Sequence, residues 1–253
     1  MIFDTHAHYN DSAFDIDRNT LLGSLCESGI SAVINCGTDI ESSKISLEYA
    51  EKYPFIYAAC GIHPEEAEKA CDGYLEDLKV LLLHKRCVAV GEIGLDYHYR
   101  DDNKEEQKKL LKEQLALANE LSLPVIIHDR DAHGDTLEIL KCTKPKGVLH
   151  CFSGSTETMK EVLNLGMYIG LGGTVTFKNA KKPQTVAKDV PLERLLLETD
   201  CPYMAPVPKR GTRNDSSLIK YVAEKIAEIK EISVEEIYNA SEENARQLFL
   251  NRA

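Results

Sequence analysis

CVAVGEIG (87–94), KEEQKKLLKEQLALANEL (104–121) and PVIIHD (124–129) follow one another along the chain, and their reading decides the fold. The outer two are short, mainly apolar runs of strand length. The middle one spaces Leu110, Leu111, Gln114, Leu115, Ala118 and Leu121 at i, i+3 and i+4, one face of a helix. Strand, helix, strand is a βαβ unit, and such units build parallel sheets.

The same alternation extends in both directions. IFDTHA (2–7), SAVINCG (31–37) and FIYAACG (55–61) precede the unit; GVLHCF (147–152), MYIGLGG (167–173) and LLLETD (195–200) follow it. Helical periodicity covers 16–28, 41–52, 74–84, 156–165, 216–230 and 241–250. The segments 178–183 and 202–217 have no period and read as loops. Eight strands with intervening helices predict an α/β fold, a closed TIM (β/α)8 barrel, as a single domain over 1–253. A doubly wound open sheet is the alternative, but no GxGxxG follows the first strand.

The chain has 253 residues, 43% hydrophobic and 28% charged, an ordinary globular balance. No run approaches the roughly 18 apolar residues of a membrane span, and the first residues have neither a basic n-region nor an apolar h-region, so no secretion leader is expected. The expected location is the cytoplasm, with no membrane and no obligate protein partner. Eight cysteines are scattered without a CxxC, which predicts buried free thiols. A net charge of −11 argues against coating nucleic acid non-specifically. It leaves open an enzyme that works on nucleic-acid ends with metal ions.

A barrel carries its chemistry at the C-terminal ends of its strands. His6 and His8 end the first strand, and alternation turns both the same way. His63 ends the third, Glu92 the fourth, His128 and Arg130 the fifth, His150 the sixth, Glu198 and Asp200 the eighth. Four histidines (His6, His8, His128, His150) with Glu92 and Asp200 exceed one tetrahedral zinc. They suit two divalent ions bridged by a carboxylate, for which Glu92 is the best candidate.

Each residue also has a plainer reading. Asp200 before Cys-Pro is ordinary turn chemistry. Glu198 pairs equally well with Arg130, and His63 with a loop. Cys151 and Cys201 alternate away from the ligands, so core packing is expected. Lys209, Arg210 and Arg213 lie in a loop after the last strand, where this fold commonly holds phosphate. GGTVTF (172–177) reads as a substrate-facing loop.

FDTHAH, GIHP, GEIGLDY, HDRDA, HCFSG, ETDCPYMAP and PKRGTRN, in this order, resemble the TatD family of metal-dependent deoxyribonucleases, among the amidohydrolase-like barrels. The resemblance runs from Ile2 to about Phe249. It implies two divalent ions. By position, His6, His8 and Asp200 hold one, His128 and His150 the other, and Glu92 bridges. Mg²⁺ or Mn²⁺ is implied for activity, with Zn²⁺ or Ni²⁺ possible in a crystal. The implied activity is 3′–5′ exonuclease cleavage of DNA or RNA, or, in some relatives, deacylation of D-aminoacyl-tRNA. Two positions depart from the family pattern: Glu65 stands where many members carry a second histidine, and the usual RNEP reads Arg213-Asn214-Asp215-Ser216.

The expected reaction is metal-assisted hydrolysis, with Asp200 as general base. His63, Arg130 and Arg213 are the expected substrate-binding residues. Asp4 is expected to face the site or to orient a histidine.

Overall fold

The computed structural model describes residues 1–70, 73–99 and 102–251. Eight parallel strands lie in chain order: β1 (Ile2–Ala7), β2 (Ile30–Cys36), β3 (Ile56–Cys60), β4 (Cys87–Asp96), β5 (Val125–Arg130), β6 (Gly147–Leu149), β7 (Tyr168–Leu171) and β8 (Leu195–Leu197). The ring closes between β1 and the chain just past β8. Thr5 Oγ1 donates to the Leu197 carbonyl at 3.0 Å. The Asp200 N–H donates to the His6 carbonyl at 2.9 Å, and the His8 N–H to Cys201 at 2.8 Å. The architecture is the TIM barrel.

The seam is fastened by Asp4, which is fully buried. Its Oδ1 accepts the Thr199 N–H at 3.0 Å, and its Oδ2 accepts the Thr199 and Ser216 hydroxyls at 2.6 Å each. Burial pushes its carboxyl up to about 6, against these donors. Its bonds go to backbone and hydroxyl groups, so the expected role of orienting an imidazole gives way to closing the barrel.

The helices are α1 (Arg18–Ser24), α2 (Ile40–Lys52), α3 (Tyr74–Leu82), α4 (Lys104–Glu120), α5 (His133–Thr143), α6 (Thr156–Asn164), α7 (Lys181–Asp189), α8 (Ile219–Lys230) and α9 (Val234–Phe249). Three differ from the periodicity. α5 lies where no helix was expected, α7 begins inside the expected loop 178–183, and α9 starts seven residues before 241. Ser233 caps α9 in a capping box with Glu236. Ser241, expected to begin that helix, instead accepts the Leu197 N–H at 2.9 Å.

Two apolar layers hold the barrel. Phe3, Ile34, Ala59, Val88, Ile126, Val148, Tyr168 and Leu196 form one cluster with Ala245 and Phe249 of α9. Every strand contributes and no other helix does, so this is the barrel interior, plugged by α9. Asn244 of α9 donates to the Leu192 and Leu195 carbonyls at 2.7 and 2.9 Å, which places the plug where β8 begins, opposite the site. The larger cluster joins the outer strand faces to the helices. Among the described residues no helix is long and apolar enough to cross a membrane.

The cysteines divide. Cys36, Cys60, Cys87 and Cys201 are buried, as expected, but Cys26 and Cys142 are exposed. Both exposed thiols sit on the outer surface of helical segments, where neither packs into a core. Cys71 lies outside the described residues.

Candidate metal centre

Glu92 sits in the middle of β4, almost wholly buried, among five histidines. Gly94, two residues on, has φ of +157°, and a side chain there would collide with the His128 carbonyl. That glycine lets β5 lie close enough to bring His128 to Glu92. The two carboxylate oxygens then serve different partners. Oε2 lies 3.3 Å from His6 Nε2 and 3.4 Å from His8 Nε2. Oε1 lies 2.9 Å from His128 Nδ1 and 2.7 Å from His150 Nε2. Asp200 joins the first pair, its Oδ1 3.7 Å from His6 Nε2 and 3.4 Å from His8 Nε2.

The ring nitrogens fit a metal. His6 Nε2 and His8 Nε2 face each other at 2.9 Å. His8 Nδ1 is 3.0 Å from the Cys36 carbonyl, which only an N–H satisfies, so its Nε2 carries the lone pair in the neutral ring. His128 Nε2 meets Asp96 Oδ2 at 2.9 Å, and His128 Nδ1 turns inward within 3.3 Å of His150 Nε2. At His8 and His128, inward lone pairs in the neutral rings, outer N–H groups on oxygen acceptors and a shared carboxylate are the donor pattern of a metal-binding His/Glu/Asp cluster. Ligand atoms fall within 4.8 Å of one another in the groups His6–His8–Glu92, His6–His150–Asp200 and His63–Glu92–His128.

Electrostatics follows this arrangement. Burial opposes the charge on His8, but bonds to Asp200 and Glu92 prevail and raise it to about 10. His128 is raised to about 10 likewise, by Asp96 and Glu92. Burial, then His150, takes His6 down to about 4. Burial disfavours ionised Glu92, yet His150, His6, His63 and His128 hold it well below the usual range. A raised histidine is protonated at neutral pH and must lose that proton to become a ligand. Metal uptake near pH 7.5 is therefore expected to release protons from His8, His128 and the likewise raised His150, and affinity is expected to rise with pH. Calorimetry in two buffers of different ionisation enthalpy reads the proton count.

The centre opens into a cavity of about 730 Å³, lined among others by His63, Glu65, Arg130, Thr174, Tyr203 and Met204. His63 bonds its loop, as its plainer reading expects, and also faces the centre. Nδ1 accepts the Glu65 N–H at 3.2 Å, and Nε2 faces Glu92 at 3.7 Å. Asp200 turns the chain through its backbone, with the Tyr203 N–H on its carbonyl, and keeps its side chain at the centre.

Four expectations change. Arg213 is absent from the cavity wall: it grips Asp17 with two bonds of 2.7 Å and lies over Phe14. Arg210 lies over Phe177 at 4.0 Å. Glu198 does not pair with Arg130, whose guanidinium rests on Tyr99; it accepts the Cys151 N–H. Cys151 is half-buried on the cavity wall, because β6 ends at Leu149 and strand alternation no longer applies. Sequence reading missed Asp96, although GEIGLDY places it four residues after Glu92, on the same strand face.

A family model described as TatD related DNase matches residues 3–250. The chain belongs to the TatD family. It is 45% identical over 252 residues to the uncharacterized metal-dependent hydrolase YabD of Bacillus subtilis strain 168, covering 98% of this chain and 99% of that protein. It is 33% identical over 257 residues to the 3′-5′ ssDNA/RNA exonuclease TatD of Edwardsiella piscicida, covering 98% and 99%. The crystal structure of YJJV, a TatD homologue from Escherichia coli K12, superposes with a TM-score of 0.92 at 36% identity, covering 99% of this chain and 98% of that one. This TatD-family chain is a metal-dependent hydrolase.

Proposed function

We propose that the chain is a 3′–5′ exonuclease that hydrolyses phosphodiester bonds at DNA or RNA ends with two divalent ions. The observation that carries this reading is the division of Glu92, one oxygen to His6 and His8 and the other to His128 and His150. His6, His8 and Asp200 would hold one ion, His128 and His150 the other, with Glu92 bridging; Mg²⁺ or Mn²⁺ is the proposed pair in the cell. The bound pair supplies an acidified water and a clamp on the phosphoryl oxygens.

Asp200 accepts the proton that the attacking water loses. Burial opposes its ionisation, but His8, His6 and His150 outweigh it and keep the carboxyl low, so the basic form prevails across neutral pH. His63 presents an N–H from Nε2, because its Nδ1 is occupied as an acceptor. Arg130 offers its planar fork to the phosphoryl oxygens. Arg130→Ala is expected to lower kcat/KM by about 10- to 100-fold, the worth of a charged hydrogen bond. Arg213→Ala is expected to change it by less than about threefold, because that guanidinium is spent on Asp17. Steady-state kinetics of the two variants compares them.

One feature favours a second reading. Among the described wall residues Arg130 is the only Lys or Arg, against Asp11, Glu65, Glu66 and Asp129. An ester with a free ammonium, as in D-aminoacyl-tRNA, suits that balance. A panel of 5′-labelled single-stranded DNA and RNA, D-aminoacyl-tRNA and small esters, with Mg²⁺ or Mn²⁺, decides. Stepwise shortening from the 3′ end supports the exonuclease. Turnover of the aminoacyl ester with intact nucleic acid overturns it in favour of the deacylase.

A further inference from the structure

Among the described residues, four buried side-chain polar atoms have no hydrogen-bond partner, and two of them belong to neighbours, His150 Nδ1 and Glu198 Oε2. We infer that Glu198 is a positioning residue for His150, taking the Nδ1–H of the ring whose Nε2 faces Glu92; the inference rests on the metal-binding reading above.

His150 Nε2 points at Glu92 Oε1 from 2.7 Å, so as a ligand it gives its lone pair inward and carries its proton on Nδ1. That proton needs an acceptor, since a buried N–H without one is costly. Glu198 Oε1 is 3.7 Å from Nδ1, a fraction of an ångström beyond a good bond. The carboxylate is 0% exposed and already anchored, with Oε1 accepting the Cys151 N–H. The oxygen that accepts the Cys151 N–H is the one that faces Nδ1, so the anchor holds the carboxylate beside the ring.

The space for Glu198 is built into β7. A Cβ on Gly170 would stand 2.5 Å from Glu198 Oε2 and 3.0 Å from the His150 Cα. The missing side chain at 170 is therefore the room the carboxylate occupies. Glu198 does not line the cavity. It acts through His150, fixing which ring nitrogen holds the proton and how the ring is turned.

The test uses the full chain with Zn²⁺ alone, titrated against a chromophoric chelator, and ¹⁵N-histidine NMR. Glu198→Ala is expected to weaken the affected ion by about 10- to 100-fold. Glu198→Gln, which keeps an acceptor but no charge, is expected to recover part of the loss. The Zn²⁺-loaded wild type is expected to show a slowly exchanging, downfield imidazole N–H that Glu198→Ala lacks. Gly170→Ala, which displaces the carboxylate, is expected to weaken the same ion. Affinity within about threefold of wild type, with that N–H signal retained in Glu198→Ala, overturns the inference. If Glu198→Ala does not fold, the wild-type spectrum decides, and absence of a protected N–H overturns the inference. A wild type that takes up no Zn²⁺ overturns the metal reading itself, a separate failure from an unaffected variant.

Discussion

Glu92→Ala is expected to lower hydrolysis by about 10³-fold or more and to strip metal from the protein. Each carboxylate oxygen serves its own pair of imidazoles, at 3.3 and 3.4 Å on one side and 2.9 and 2.7 Å on the other. Alanine removes a ligand from both proposed ions at once. Metal chemistry contributes several kcal/mol to such a reaction, and each 1.36 kcal/mol is tenfold in rate. The fold is expected to survive, because the backbone N–H of residue 92 still donates to the Gly37 carbonyl at 2.9 Å and the seam at Asp4 lies elsewhere. Elemental analysis, a thermal melt and the substrate panel check the three parts. Activity within a few-fold of wild type, with metal still bound, would remove Glu92 from the bridging position.

The barrel was legible because its strands are short apolar runs and its ligand-type residues stand at their ends. What escaped depended on long-range partners or weak local signals. α7 (KKPQTVAKD) carries Pro183 in its first turn, where a helix tolerates proline, and buries only Val186 and Ala187, so its periodicity is faint. The start of α9 is written as SVEE, a capping-box signature at 233–236, but the expected helix began only at Ser241, itself a hydroxyl residue. That hydroxyl instead satisfies a strand N–H, 44 residues distant. Arg213 looked free because its partner, Asp17, lies 196 residues away. The same distance hides Asp4, whose oxygens close the ring onto Thr199 and Ser216. Residue type and strand register locate a rim; they do not say which of its charges are already spoken for.

Asp200→Asn is expected to lower kcat by about 10² to 10⁴, the range of general acid–base catalysis, with a much smaller effect on the melting temperature. The substitution separates the side chain's chemistry from its backbone duties. Asp200 has φ of +56°, a left-handed conformation that asparagine also adopts readily. Its N–H donates to the His6 carbonyl and its own carbonyl accepts from Tyr203, and both bonds survive the change. Asparagine also keeps an oxygen to face His6 and His8, but an amide does not accept a proton at neutral pH. The pH profile adds a second, independent reading. The histidines around Asp200 hold its carboxyl below the ordinary value, so the base is already ionised over the working range. The fall in activity on the acid side is then set by protonation of His8 and His128, which competes with metal. Asp200→Asn is therefore expected to lower the plateau and, because Asp200 helps hold the His8 proton, to shift the acid limb to lower pH, whereas extra metal is expected to shift that limb in both proteins. A variant with wild-type kcat would assign the proton to another group.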